Sequence, residues 1–247
     1  MNDLTGAERL VRRSRAVTIL ALAVLTLLAW AWLLRGAGMG SGAMPMKWDA
    51  GRFFTVASMW WVMMIAMMLP NAAPLILLYA RVHRYTGDAP PTAPFLAGYL
   101  AIWLGFALLA AALHALLEQS GFVSAMTMAT NRPWLSAGFL IAAGIYQFTA
   151  LKDACLSSCR TPSEFLTRHY RPGRWGAWRM GLIHGTYCVG CCWLLMALLF
   201  VGGVMNLAWI AALTLLVVAE KLLPGGPWIA RISGVLFILC GVAILLV

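Results

Sequence analysis

Residues 53–80 read FFTVASMWWVMMIAMMLPNAAPLILLYA, a run without a single Asp, Glu, Lys or Arg. A helix needs about 20 apolar residues to cross the hydrocarbon core of a bilayer. A charged side chain at the centre of such a helix costs roughly 2.5–3.5 kcal/mol. The run therefore predicts a membrane-spanning helix. Pro70 and Pro74 predict a break or kink in it, because proline removes a backbone donor.

The rest of the chain repeats this pattern. Of its 247 residues, 62% are hydrophobic and 11% are charged, whereas a typical soluble domain has about 25% charged residues. Every charged residue lies outside seven apolar runs, which are residues 16–34, 53–80, 94–117, 133–151, 180–201, 203–219 and 232–247. We therefore predict an all-α transmembrane helical bundle of about seven spans, with six possible. It forms a single domain over residues 1–247.

The first run is also compatible with a signal peptide, because basic residues precede it. These are Arg9, Arg12, Arg13 and Arg15. The run is longer than the roughly 7–15-residue apolar core of a signal peptide. We therefore predict that it is a retained helix.

Basic residues also predict the orientation. With a cytoplasmic N-terminus, all but four of the 18 Lys and Arg residues fall on the inside, as the positive-inside rule requires. The exceptions are Arg35, Lys47, Arg52 and Arg132. This topology makes residues 36–51 an external Gly/Met-rich loop and residues 152–179 a basic cytoplasmic loop, in a multi-pass membrane protein. The net charge of +10 is then explained by topology and lipid headgroups, and no nucleic-acid partner is expected.

Five of the six cysteines fall into two groups. The first is Cys155 with Cys159, and the second is Cys188 with Cys191 and Cys192. Both groups lie toward the cytoplasmic side in the predicted topology, where thiols are kept reduced, so structural disulfides are not expected. The sixth cysteine, in the last run, is interpreted as a small buried apolar residue.

Helical geometry places each group on one face. Cys155 and Cys159 are four residues apart, and the second group forms a stripe about 100° wide together with a preceding histidine, His184. We expect the cytoplasmic ends of the fourth and fifth helices to meet there. Thiolates are soft ligands that suit Cu(I), Zn(II) or iron–sulfur clusters. The predicted metal ligands are Cys155, Cys159, His184, Cys188, Cys191 and Cys192. Copper as Cu(I) is preferred, with zinc or another soft metal as the alternative.

Methionines form rows in residues 53–80. Met59, Met63 and Met67 repeat every four residues, and thioethers bind Cu(I). These three residues are a candidate relay for the ion. The alternative is ordinary packing, for which methionine is well suited. The 36–51 loop adds Met39, Met44 and Met46, whose side chains are apolar although the segment is polar. These three methionines are candidates for an outer part of the same route.

Two further pairs of polar residues lie at the ends of apolar runs. Glu220 and Lys221 end the sixth run; we interpret them as marking the interface, with Glu220 a candidate for a role near the thiols. His114 and Glu118 are four residues apart at the outer end of the third run. A capping or hydrogen-bonding role is expected for them, with ion binding as the alternative.

Four motifs from Trp60 onward occur together in this chain. They are Trp60 to Pro70 (WWVMMIAMMLP); Tyr146 and Gln147 through Lys152, Cys155, Cys159 and Pro162; His184-Gly185-x-Tyr187-Cys188-x-Gly190-Cys191-Cys192-Trp193; and Glu220-Lys221 with Pro224 and Gly225. With these motifs the chain resembles a bacterial family described as predicted metal-binding integral membrane proteins, a domain of unknown function. The resemblance implies a multi-pass protein of the bacterial inner membrane whose cysteines bind metal.

We therefore hypothesise a membrane protein that binds a soft metal, most simply Cu(I), for metal transport, delivery or homeostasis. Its expected partners are the lipid bilayer, the ion, and a metallochaperone or membrane metalloenzyme. This interpretation favours a protein that is not an enzyme and leaves an enzymatic role open. Two alternatives remain open. One is a membrane thiol–disulfide oxidoreductase that uses Cys188 and Cys191. The other is an accessory metal-holding subunit of a larger membrane complex.

Overall fold

A computed structural model describes residues 6–35, 48–83 and 92–246, and nearly all of these residues are helical. The helices are α1 (Gly6–Leu34), α2 (Ala50–His83), α3 (Thr92–Gln119), α4 (Pro133–Tyr146), α5 (Ala150–Arg160), α6 (Pro162–His169), α7 (Gly173–Ala197), α8 (Leu199–Gly202), α9 (Leu207–Leu222) and α10 (Gly226–Leu246). The all-α helical bundle is thus confirmed. Residues 36–47 of the predicted external loop, with Met39, Met44 and Met46, lie outside the described residues.

Helix α2 runs through both of its prolines. Proline at position 70 leaves the carbonyl of Ala66 without its usual helical donor, and the indole Nε1 of Trp30 on α1 donates to that oxygen at 3.2 Å. The side-chain amide of Asn71 donates to the Met67 carbonyl at 2.9 Å. Backbone carbonyls that water cannot reach are in this way satisfied by neighbouring side chains, as an apolar environment requires.

Glycines bring two pairs of helices into backbone contact. A Cβ atom on Gly181 of α7 would lie 2.0 Å from the Phe95 carbonyl oxygen of α3, and one on Gly98 would lie 2.2 Å from the Trp178 carbonyl oxygen. Gly144 of α4 packs against α10, where an added Cβ would lie 2.7 Å from the Gly234 carbonyl oxygen. Small residues at such interfaces are typical of helix packing in membranes.

The count of seven spans is not supported. Among the described residues, five helical segments are long and apolar enough to cross a membrane, or six if α4 and α5 form one broken span. These two helices are bent by 67° relative to each other. Helix α9 has only 16 residues, fewer than the roughly 20 that a bilayer core needs.

The break between α4 and α5 shapes the site described below. Helix α5 begins at a new N-cap, where the Thr149 side chain accepts a hydrogen bond from the Lys152 amide. The segment 152–179, predicted to be a cytoplasmic loop, consequently contains most of α5, all of α6 and the start of α7. Lys152 and Phe165 within it are buried.

Candidate metal centre

Helix α7 carries four of the predicted ligands on one buried face. His184, Cys188, Cys191 and Cys192 are all at most 2% exposed. The thiols of Cys191 and Cys192 point back along the helix and donate to the Cys188 carbonyl at 3.1 and 2.9 Å. Because α7 begins already at Gly173, these residues lie near its middle. The prediction placed these residues at the end of a helix, whereas in the structure they lie well inside α7.

Helix α5 brings the other two cysteines against this face. The Sγ atoms of Cys159 and Cys191 are 4.0 Å apart. Cys155 lies against Gly190, where an added Cβ would be 2.7 Å from the Cys155 sulfur. The absence of a side chain at Gly190 therefore allows α5 to approach α7, and both predicted groups of cysteines meet in one place.

The sulfur–sulfur distance fits a shared metal ion. Two thiolates bound to one ion at about 2.3 Å are roughly 3.8 Å apart at a tetrahedral angle and about 4.6 Å apart when opposite each other. The 4.0 Å between Cys159 and Cys191 lies in this range. All five clustered cysteines are free thiols.

A methionine joins the sulfur cluster from α2. The Met68 thioether lies 3.9 Å from the Cys192 thiol. The predicted relay residues Met59, Met63 and Met67 are buried on the same helix, but the methionine that contacts a cysteine belongs to the neighbouring row. Met68 was not among the predicted relay residues, because the four-residue spacing of methionines along α2 does not show which of its two methionine rows faces α7.

Two polar side chains contact Cys188. Lys221, in the last turn of α9, donates from Nζ to the Cys188 sulfur at 2.9 Å. The Tyr99 hydroxyl of α3 lies 3.1 Å from the same sulfur and donates to the Met68 carbonyl at 2.9 Å. From its position at the end of the sixth apolar run, Lys221 was expected to mark the membrane interface. Its place beside a long apolar run was the available signal, because ionisable residues at membrane depth usually have a function.

A second buried charge pair lies beside the thiols. The Lys152 ammonium contacts the Glu220 carboxylate at 2.7 Å, and Gln147 donates to the other carboxylate oxygen at 2.8 Å. Arg160 donates to the backbone carbonyls of Glu220 and Pro224 at 2.5 and 3.1 Å. These contacts tie α5 to the end of α9, so they fix the Cys155–Cys159 helix relative to Lys221.

His184 lies among aromatic rings. Its imidazole stacks on Tyr99 with the ring centres 5.6 Å apart, and Phe165 of α6 meets it edge-on at 5.3 Å. Its Nδ1 has no hydrogen-bond partner within the described part of the chain. His184 therefore keeps a nitrogen available one turn before Cys188.

The cluster offers its ligands mainly as pairs. Among the described residues, no group of three or more His, Cys, Asp or Glu side chains is arranged to hold a metal ion. A site of this kind suits an ion that accepts few, soft ligands, as Cu(I) does. The remaining cysteine, Cys240 on α10, is not part of the cluster. The prediction that it is a buried residue is wrong, because the structure exposes it on the surface of α10.

Comparison with known proteins agrees with a copper-binding role. The family model PpoB2, described as a copper chaperone, matches residues 57–244, about three quarters of the chain. Comparisons with curated proteins and with solved structures gave no match.

Proposed function

Because the chain belongs to this copper chaperone family, we propose that it is an integral membrane protein that binds Cu(I) for copper transport, delivery or homeostasis. Its ligands come from the thiol cluster formed where α5 meets α7. The proposed ligands are Cys155, Cys159, His184, Cys188, Cys191 and Cys192, together with Met68. The observation that carries the proposal is the 4.0 Å distance between the Cys159 and Cys191 sulfurs, which come from different helices.

The buried charges favour a monovalent ion. Lys152 and Glu220 neutralise each other at 2.7 Å, while the Lys221 ammonium faces Cys188. Two metal-bound thiolates and Lys221 together carry one net negative charge. Binding of Cu(I) makes the site neutral, whereas binding of Zn(II) leaves it with one net positive charge. Since a net charge in a buried site is costly, this arrangement supports Cu(I) over zinc for two-thiolate binding.

The surface of the bundle supports a membrane location. Large apolar side chains on α1 and α10 are exposed, among them Leu20 at 64% and Leu239 at 59%. Such surfaces are unfavourable in water and suit lipid. The proposal places the protein in the bacterial inner membrane as a multi-pass protein of five or six spans, with its N-terminus in the cytoplasm.

The buried methionines of α2 are the proposed route to the thiols. Met59, Met63 and Met67 are each at most 1% exposed, and Met68 of the same helix contacts Cys192 of α7. A Cu(I) ion passing between thioethers would stay in contact with soft ligands. The proposed recipient or donor of the ion is a metallochaperone or a membrane metalloenzyme.

The direct test is metal analysis of the anaerobically purified protein. After exposure to Cu(I) and removal of unbound ion, elemental analysis is expected to find copper bound in a constant ratio to protein. Zinc offered in equal amount should be largely excluded. A protein without metal that instead contains a reducible Cys188–Cys191 disulfide would contradict the proposal and favour the oxidoreductase hypothesis.

Lys221 provides a more specific prediction. Lys221→Met removes the ammonium that lies 2.9 Å from the Cys188 sulfur, so the Cu(I)-bound thiolates retain an uncompensated buried charge. We expect Cu(I) affinity to fall about 10- to 100-fold, as for other groups that contact metal ligands. Competition against a chromophoric Cu(I) chelator measures this. Lys221→Arg keeps the charge and should lose much less; equal losses for both variants would contradict the charge argument.

A further inference from the structure

Helix α6 covers the histidine of the thiol cluster. Its Phe165 is 2% exposed and meets the His184 ring with the ring centres 5.3 Å apart. Phe165 also stacks on His169, the last residue of the same helix, with the ring centres 4.7 Å apart. His184 is buried, whereas His169 is half-buried. A single phenylalanine ring therefore contacts both a histidine near the surface and the histidine of the cluster.

The hydrogen bond of His169 leaves its other ring nitrogen available as a metal ligand. Its Nδ1 lies 3.1 Å from the Phe165 carbonyl oxygen. A carbonyl can only accept, so Nδ1 carries the proton. In the neutral imidazole, Nε2 then holds the lone pair that binds metal ions. Because His169 is half-buried, an ion at Nε2 keeps its contact with water and with ligands from another molecule.

The contacts continue from His184 to the sulfurs. His184 Nδ1 has no hydrogen-bond partner within the described part of the chain, and Cys188 follows one turn later on the same face of α7. The Tyr99 ring stacks on His184 at 5.6 Å, and its hydroxyl lies 3.1 Å from the Cys188 sulfur. An ion that passes Phe165 thus meets an imidazole nitrogen and then a thiol.

Few buried side chains hold α6 in place. Of its eight residues, Phe165 and Leu166 are buried, and the other six are exposed or half-buried. Segments with few buried apolar contacts open locally at a low cost in free energy. The neighbouring helix α5 is held separately, because Arg160 donates to the Glu220 and Pro224 carbonyls. Displacement of α6 would therefore open one side of His184 without moving the cysteines of α5.

The charge around α6 favours an anionic form of copper. Arg168 on this helix, and Arg171 and Arg174 after it, are exposed. These arginines repel a free Cu(I) ion. A Cu(I) ion held by two thiolates carries one net negative charge, so the same arginines attract it and raise its local concentration.

We propose that His169 is the point at which Cu(I) is exchanged between the thiol cluster and an anionic Cu(I)–thiolate carrier, with Phe165 as the gate between them. This inference rests on the proposed Cu(I) site. Under the proposed topology the exchange takes place on the cytoplasmic side. His169 Nε2 replaces one carrier thiolate on the ion, and the opening of α6 brings His184 and then the cysteines into contact with it. Each step forms one bond to copper and breaks another. The ion stays Cu(I), and the released carrier thiolates take up the protons that the cluster thiols lose.

The test compares the rate of copper transfer with the equilibrium affinity of the full-length protein in micelles. Copper-free protein is mixed rapidly with an anionic chromophoric Cu(I)–chelator complex, and loss of the chelator colour gives the rate. Phe165→Ala is expected to raise this rate about tenfold, because it increases the open population. His169→Phe keeps an aromatic ring beside Phe165 but removes the ligand, and should lower the rate about tenfold. Equilibrium Cu(I) affinity should stay unchanged in both variants, since the thiols determine it.

Two further variants separate a ligand role of His169 from a structural one. His169→Met keeps a soft ligand and should transfer copper almost as fast as the wild type, and Ser163→Ala at an exposed position of α6 is the control. If Phe165→Ala does not fold, the His169 variants still decide the question. Equal rates for the wild type and His169→Phe, equal slowing in His169→Phe and His169→Met, or an unchanged rate in a folded Phe165→Ala would overturn the proposal. A wild-type protein without Cu(I) affinity would instead refute the thiol site, and this exchange point with it.

Discussion

Replacement of Cys188 and Cys191 together by serine is expected to abolish stable Cu(I) binding. Both residues lie on the buried face of α7, where Cys191 meets Cys159 at 4.0 Å and Cys188 is contacted by Lys221. Serine is nearly the same size, but its hydroxyl oxygen is a hard and weak ligand for Cu(I). Structural zinc sites with four ligands contribute about 10–16 kcal/mol, or roughly 3–4 kcal/mol per ligand. By the same scale, the loss of two thiolates should lower Cu(I) affinity about 10⁴-fold or more.

The measurement is copper content and Cu(I) affinity of the purified variant by chelator competition. Cys240→Ser is the matched control, because Cys240 is an exposed free thiol on α10 and its loss should not change copper binding. Unchanged affinity in the double variant would contradict the thiol site. A loss in Cys240→Ser as large as in the double variant would place the site elsewhere.

The second large effect concerns stability. Lys152→Met is expected to lower the free energy of unfolding by about 3–5 kcal/mol, the usual result of removing one partner from a buried ion pair. Glu220 is 1% exposed and would keep its negative charge. Among the described residues, the Gln147 amide at 2.8 Å would then be its remaining side-chain donor. Because this pair links α5 to α9, the Cys155–Cys159 helix should also loosen.

Reversible unfolding in mixed detergent micelles measures this free energy. Combining Lys152→Met with Glu220→Gln removes both charges and should recover much of the loss. The control is Arg168→Ala, which breaks the exposed Arg168–Glu164 pair and should cost less than about 1 kcal/mol. The prediction would be wrong if the Lys152 and Arg168 variants lost equal stability.

Local patterns were sufficient to predict the class of fold. Long runs without charge, such as residues 53–80, can satisfy their backbone only as helices in an apolar environment, so the all-α bundle follows from composition and spacing. The count of spans did not follow. Helix α4 ends near Gln147 and α5 restarts at the Thr149 cap, although residues 133–151 form a single run without charge.

Periodicity also identified the two groups of cysteines, because positions four residues apart share a helix face whatever surrounds them. Whether the groups meet depends on how the helices pack. The structure brings them together through Gly190, which leaves space for Cys155, and through the Arg160 contacts that fix α5 to the end of α9.

Near neighbours in the chain are sufficient to predict a helical bundle suited to a membrane, with two faces rich in thiols. Which other side chains contact those thiols depends on how the helices pack. Lys221, Tyr99 and Met68 come from three further helices, and no spacing along one helix predicts contacts between several. The same reason applies to Glu118, which pairs with Arg52 of α2, and to His114, which is buried against Phe200 of α8.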